Sequence, residues 1–426
     1  MSVDPGLLDD LIERGLVQDT TDRTILAERL NSGPITVYLG VDPTADSLHV
    51  GNLVGLLTLR RFQLAGHRPI PLAGGATGMI GDPSGKSAER NLLDDDALER
   101  NLAGIVPQLK KFIDFDDGAA KLLDNRAWTV GVPFITFLRD VGKHLTVNQM
   151  MAKESVKSRM SGTAGLSYTE FSYMLLQAFD YWWLAENEGC ELQIGGSDQW
   201  GNISLGIDLV RRRAGKKVHG LTWPLLVKQD GTKYGKTAEG DTIWLSSEHM
   251  STYKFYQSWI QVGDSEIRKL LCWLTFLSIE EIDEIMAEHS EIKDRRIGQR
   301  RLAAEITTLV HGEAATKTAE AVSAVIFGGA VTDLDRPTFE LLREELPTTA
   351  IDRSQLAVRQ NLVPSLVAAG VASSNGEALR LIKQQGISVN DQKVDKDFRF
   401  ESSSLLHEKY SVVRKGKKSI FLLAFD

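Results

Sequence analysis

The chain has 426 residues, 42% of them hydrophobic and 25% charged, with a net charge of −8. That length exceeds what a single core usually fills, so two or three domains with a sizeable core are expected. Two distant cysteines, Cys190 and Cys272, exclude a disulfide framework or a paired zinc site. An acidic start and no long apolar run argue against a secretory signal or a membrane span, so a soluble protein of the reducing cytoplasm is expected.

In chain order, Thr36-Val-Tyr-Leu-Gly-Val41 reads as a strand, His49 to Ala65 as a helix and Arg68-Pro-Ile-Pro-Leu-Ala73 as a second strand. Strand, helix and strand at this spacing form a βαβ unit, so residues 1–245 are expected to hold a parallel sheet with helices on both faces. Ser167-Tyr-Thr-Glu170 has a capping-box pattern and opens a helix that puts Tyr173, Gln177 and Asp180 on one face. Residues 246–332 read as helical, with a second capping box at Ser278-Ile-Glu-Glu281. Gly328-Gly329, Pro337 and Pro347 punctuate a charged connector over 333–355, and 356–426 read as a small α+β module ending in two strands around a basic turn. Residues 351–426 carry 12 Lys and Arg against 8 Asp and Glu, a local charge of +4 on a body of −12. A basic end on an acidic body suits a polyanion, although chance clustering gives the same count.

Three segments carry candidate chemistry. Asp42 to Gly51 lies where a strand of a parallel sheet gives way to a helix, and there unpaired N–H groups and the helix dipole favour an anion. His49-Val-Gly51 fits a phosphate site or an ordinary capped turn. The glycine-rich Gly74 to Ser87 run misses a P-loop by one residue, since Gly81-Asp-Pro-Ser-Gly85-Lys86 has three residues before Gly-Lys where four are needed. It still brings Asp82, Lys86 and Arg90 onto one turn. Lys228 to Thr237 sets Lys233, Lys236 and Thr237 among glycines, either as a polyphosphate clamp or as a surface hairpin.

Taken together, these motifs resemble a known family. His49-Val-Gly51-Asn52 is similar to the HIGH signature of class I aminoacyl-tRNA synthetases, and Lys233-Tyr-Gly-Lys-Thr237 to their KMSKS signature. Tyr38-x-Gly-x-Asp-Pro-Thr-Ala-Asp-Ser-Leu-His49, Gly81 to Lys86, Phe171 to Gln177 and Gln193-Ile-Gly-Gly-Ser-Asp-Gln-Trp-Gly-Asn202 resemble the bacterial tyrosyl-tRNA synthetases. The resemblance implies a Rossmann-type catalytic domain, a helical anticodon-side domain and a C-terminal RNA-binding module of ribosomal-protein type. It also implies activation of L-tyrosine by ATP, with Mg2+ on the nucleotide and no metal held by the protein, followed by transfer of the tyrosyl group to tRNA(Tyr).

By the same resemblance, Thr44, His49, Gly51 and Asn52 hold the nucleotide at the helix mouth, and Lys86, Arg90, Lys233, Lys236 and Thr237 clamp its phosphates. Asp82, Tyr173 and Gln177 take the substrate ammonium. Tyr38 and Asp180 grip the phenolic hydroxyl, Gln199 orients the carboxylate and Asp198 lies near the ribose. Phe134 to Met151 resembles the family's subunit contact and implies a homodimer, with no DNA partner. Asn52 replaces the signature's usual second histidine, and Leu39 and Gly55 replace residues that are often polar. Rivals are tryptophanyl-tRNA synthetase, whose pocket has no use for a carboxylate and phenol facing a hydroxyl, a small-molecule nucleotidylyltransferase, which has no use for an RNA module, and a non-enzymatic RNA-binding relative, in which the clamp lysines would be lost.

Overall fold

A computed structural model describes residues 6–84, 92–160, 165–227, 234, 242–331, 334–358, 361–416 and 419–426. It divides into two compact units, 1–250 with 262–302 and 251–261 with 303–426.

The first unit is built on a five-stranded parallel sheet of order β3-β2-β1-β4-β5, comprising β1 Thr36–Val41, β2 Arg68–Ala73, β3 Leu123–Asp124, β4 Cys190–Gly196 and β5 His219–Trp223. Its inner strands β2, β1 and β4 read as near-continuous buried runs because helices cover both faces of such a sheet. The chain leaves β1 towards β2 on one side, and β4 flanks β1 on the other. The strand order therefore reverses between β1 and β4, and the crevice beyond their carboxyl ends is where a ligand seats in this architecture.

Two helices shape that crevice. Helix Val50–Leu64 follows β1 and is capped by His49, whose Nδ1 accepts the Gly51 N–H at 3.0 Å while its own N–H donates to Asn52 Oδ1 at 3.1 Å. Helix Tyr168–Asn187 starts at Ser167, whose hydroxyl accepts the Glu170 N–H. The reciprocal half of the expected capping box is replaced by an ion pair, with Glu170 buried and bonded to Arg159 Nη2 at 2.7 Å. A buried carboxylate needs a cation more than it needs a surface cap.

The helical stretch 246–332 does not form one body in the structure. Helices Asp264–Leu274 and Ile279–Glu291 belong to the sheet unit, where the Trp273 indole donates to the Arg14 carbonyl and Arg61 Nη2 to the Cys272 carbonyl. Helices Thr252–Ile260 and Glu313–Ile326 belong to the second unit, and Tyr253, Val322 and Val325 share a core there with Phe339, Leu342, Tyr410 and Val412. Helical texture is alike throughout, and only the surface each helix buries assigns it to a unit.

The expected connector is also structured. Asp335 caps helix Arg336–Glu345, with Pro337 in its first turn, a position where a missing N–H costs nothing. β6 Thr348–Ile351 then joins a second sheet, β6-β10-β9-β7-β8, with β7 Ile387–Val389, β8 Gln392–Lys393, β9 Tyr410–Lys415 and β10 Ser419–Phe425. β9 and β10 are the antiparallel pair expected near the end of the chain.

Candidate active site

All eleven sequence-predicted site residues that fall among the described residues line one cavity of about 530 Å³ at the β1/β4 switch point. They are Tyr38, Thr44, His49, Gly51, Asn52, Asp82, Tyr173, Gln177, Asp180, Asp198 and Gln199. Lys86, Arg90, Lys233, Lys236 and Thr237 lie outside the described residues.

At the inner end, Asp180 is 2% exposed, with Oδ2 accepting from Asn125 Nδ2 at 2.9 Å and Oδ1 from Trp128 Nε1 at 2.8 Å. Burial drives its pKa up to about 7, helped by Asp42 and Asp124 and opposed by the two donors. Trp128 is held in turn by a parallel stack on Trp183, with ring centroids 4.0 Å apart. Tyr38 is buried beside this carboxylate, edge-on to Tyr181, and its hydroxyl has no hydrogen-bond partner among the described residues. Burial first and Asp180 second push the Tyr38 phenol well above its usual range, so it stays protonated and is a donor.

A hydrogen-bonded chain leads outward from Asp180. Asn125 spends its second Nδ2 hydrogen on Thr77 Oγ1 at 2.9 Å, and its Oδ1 accepts the Ala76 N–H at 2.7 Å. The amide is thereby fixed with its donors towards Asp180. Thr77 donates to Asp42 Oδ1 at 2.7 Å, and the Tyr173 hydroxyl donates to Asp42 Oδ2 at 2.8 Å.

A second cluster surrounds buried Asn202, whose Nδ2 donates to Gln177 Oε1 at 2.9 Å. Gln199 Nε2 donates to Asp82 Oδ2 at 2.6 Å, so these two predicted ligands are partners of each other. Carboxylates and amide oxygens dominate this rim, which suits a cation such as an ammonium.

At the helix mouth, a Cβ on Gly51 would lie 2.8 Å from His49 Cε1, so the imidazole sits where only glycine leaves room. Because Nδ1 accepts the Gly51 N–H, the neutral ring carries its hydrogen on Nε2. Asn52 serves the turn by accepting the His49 N–H, which an imidazole in its place would have to do through a ring nitrogen. Leu39 and Gly55 meet each other, with a Cβ on Gly55 falling 3.1 Å from Leu39 and 3.0 Å from Trp223. The two apolar replacements thus make one wall.

Asp42, Thr77, Asn125, Trp128 and Asn202 were not assigned from sequence. Asp42 and Asn202 stand inside the quoted motifs, so their position was a usable signal. Asn125 and Trp128 follow a two-residue strand and carry no local pattern.

A parallel sheet that opens at its switch point onto a pocket lined by apolar walls and a few convergent carboxylates and amides, with a His-x-Gly helix mouth at one end, defines an α/β protein of the kind that seats ligands beyond its strand ends. Residues 30–328 match the family of class I tRNA synthetases for tryptophan and tyrosine, and residues 338–423 match the C-terminal domain of tyrosine–tRNA ligases. The tyrosine–tRNA ligase of Opitutus terrae is 49% identical over 97% of this chain and 98% of its own length, and that of Rhodopirellula baltica 47% over 98% and 96%. A C-terminally truncated mitochondrial tyrosyl-tRNA synthetase of Aspergillus nidulans superposes with a TM-score of 0.69 at 31% identity, covering 75% of this chain and 94% of that one. The chain belongs to the class I aminoacyl-tRNA synthetases of the tryptophan and tyrosine family, and it is an enzyme.

Proposed function

We propose that this chain ligates L-tyrosine to tRNA(Tyr) in two steps. The substrate carboxylate attacks the α-phosphate of ATP, forming tyrosyl-adenylate and releasing pyrophosphate. A ribose hydroxyl of the terminal adenosine then attacks the acyl carbon, and AMP leaves. The nucleophile comes from the substrate in each step, so the chain's contribution is orientation and charge stabilisation.

The observation that carries this reading is the inner end of the pocket. Tyr38 offers a buried O–H with no partner among the described residues beside a carboxylate fixed by Asn125 and Trp128. A phenol satisfies both, accepting from Tyr38 and donating to Asp180. A phenylalanine ring serves neither group, and an indole can donate its N–H to Asp180 but offers Tyr38 no acceptor, so with either ring the buried Tyr38 hydroxyl stays unpaired. Asp82, Tyr173 and Gln177 take the ammonium, Gln199 the carboxylate, and Asp198 the ribose. His49, Gly51, Asn52 and Thr44 receive the nucleotide, with Lys86, Arg90, Lys233, Lys236 and Thr237 on its phosphates. Magnesium belongs on those phosphates, its usual seat. Among the described residues no group of three His, Cys, Asp or Glu is placed to hold a metal. ATP–pyrophosphate exchange with tyrosine, tryptophan and phenylalanine tests the assignment, and equal exchange with tyrosine and tryptophan would remove it.

A homodimer is supported by the exposed apolar side chains of residues 130–147, where Val130, Phe134, Ile135 and Val147 are each more than 60% exposed. Large apolar side chains left in water over one such stretch favour burial against a partner, and a symmetric pair would bury those of both copies. Sedimentation over a concentration series checks this. No described helix is long and apolar enough to cross a membrane. A reaction fed by ATP and tRNA belongs in the cytoplasm, without DNA as a partner. Lys393, Lys396 and Arg399, all exposed in the second unit, are the candidate tRNA phosphate contacts. Arg414 is not among them, because its side chain is only 12% exposed and its Nη2 donates to the Val325 and Gly329 carbonyls at 2.8 Å within its own unit.

A further inference from the structure

Residues 242–250 return to the helix mouth and pair with it. The Val50 N–H donates to the Ile243 carbonyl at 3.0 Å, the Leu245 N–H to the Leu48 carbonyl at 2.8 Å and the Ser246 N–H to Ser47 Oγ at 3.2 Å. His49 and Trp244 thereby face each other as an antiparallel bridge pair, and residues so paired project from the same side. Their rings lie 6.3 Å apart at 52°, and both residues line the cavity. On its far side Trp244 meets His249, with ring centroids 5.4 Å apart at 41°. His249 Nε2 in turn lies 2.7 Å from Oδ1 of Asp46, three residues before His49. Asp46, His49, Trp244 and His249 form a closed bracket around the turn.

The Trp244 ring packs beside the imidazole, and a rigid aromatic neighbour held by paired backbone restricts the orientations that the imidazole can take. We infer that Trp244 is a positioning residue for His49. It keeps the imidazole in the pose from which Nε2 donates to the nucleotide, and the His249–Asp46 contact keeps Trp244 in place. The inference rests on the nucleotide role proposed for His49. It assigns to the segment after residue 241 a share in adenylate formation that requires no contact with substrate.

The test is a double-mutant cycle on the full-length enzyme, read by single-turnover tyrosyl-adenylate formation with tyrosine affinity and thermal melting measured alongside. Trp244→Leu is expected to slow adenylate formation roughly tenfold or more, as small misplacements of a positioned group do, with tyrosine affinity unchanged. Trp244→Phe should recover most of the rate. In a His49→Asn background Trp244→Leu should cost nothing further, because residues acting as a unit are not additive. Full additivity, or a wild-type rate for Trp244→Leu, overturns the inference. His49→Asn at the wild-type rate would instead overturn the role given to His49 itself. If Trp244→Leu does not fold, His249→Gln decides. That side chain is exposed, and its variant should lose rate severalfold in the wild-type background and none in His49→Asn. A wild-type rate for His249→Gln would then reject the bracket.

Discussion

Replacing Asp180 with alanine removes an acceptor that two buried donors and, on our reading, the substrate phenol all use. Asn125 Nδ2 and Trp128 Nε1 would be stranded, each at about 1–3 kcal/mol, a serious loss against the roughly 5–15 kcal/mol that holds a typical domain together. The phenol loses a hydrogen bond to a charged group, about 1.5–3 kcal/mol, so kcat/KM for tyrosine should fall roughly 10- to 150-fold while that for phenylalanine barely changes. ATP–pyrophosphate exchange with the two amino acids, beside a melting curve, separates selectivity from unfolding. The carboxyl also titrates near working pH. With a pKa of about 7 it is ionised above that value, so wild-type kcat/KM for tyrosine should drop as pH falls through 7 and Asp180→Ala should lose that limb. The stability sign is opposite. A carboxyl raised from 3.8 to about 7 makes the fold lose stability as pH rises through that window, by roughly 4 kcal/mol, and the alanine variant should lose that slope. A folded variant with an unchanged tyrosine-to-phenylalanine ratio would refute the reasoning.

Gly51→Ala sets a Cβ 2.8 Å from His49 Cε1 and should slow adenylate formation roughly tenfold, leaving tyrosine affinity intact; stopped-flow measurement at normal speed would deny the imidazole its fixed pose. His67 is buried, and burial with Arg29 nearby holds its pKa down to about 4 from 6.5. Its stabilising effect is therefore complete above 6.5 and lost towards pH 4, by about 3 kcal/mol in all. Urea unfolding at several pH values should show this acid slope, and an equal slope in His67→Gln would assign it elsewhere. Removing one member of the Arg159–Glu170 pair should cost about 3–5 kcal/mol, and replacing both with apolar residues much less; equal losses by calorimetry would contradict the buried-charge account. Lys396→Ala should lower the salt slope of tRNA binding by about one, whereas Arg414→Ala should lower the melting temperature and leave the slope alone, a distinction filter binding over a salt series resolves.

Sequence alone determined the strands Thr36–Val41 and Arg68–Ala73, the capped helix between them and the parallel sheet, because these rest on local periodicity and on residues adjacent in the chain. It also put Tyr173, Gln177 and Asp180 on one helical face, which the 3.6-residue period fixes without knowledge of the fold. What that face meets was beyond it. The partners of Asp180 lie 52 and 55 residues away, at Trp128 and Asn125, and nothing near either residue marks it as one. The same limit applied to the helices after residue 250, whose periodicity shows that each buries a face but not which core receives it. Pro337 interrupts the local pattern, yet it stands in the first turn of a helix that forms because Phe339 and Leu342 have a core to pack on. Backbone hydrogen bonding and side-chain periodicity are set by neighbours in sequence. The direction and environment of a buried polar group are set by groups that only the tertiary fold brings within about 3 Å of it.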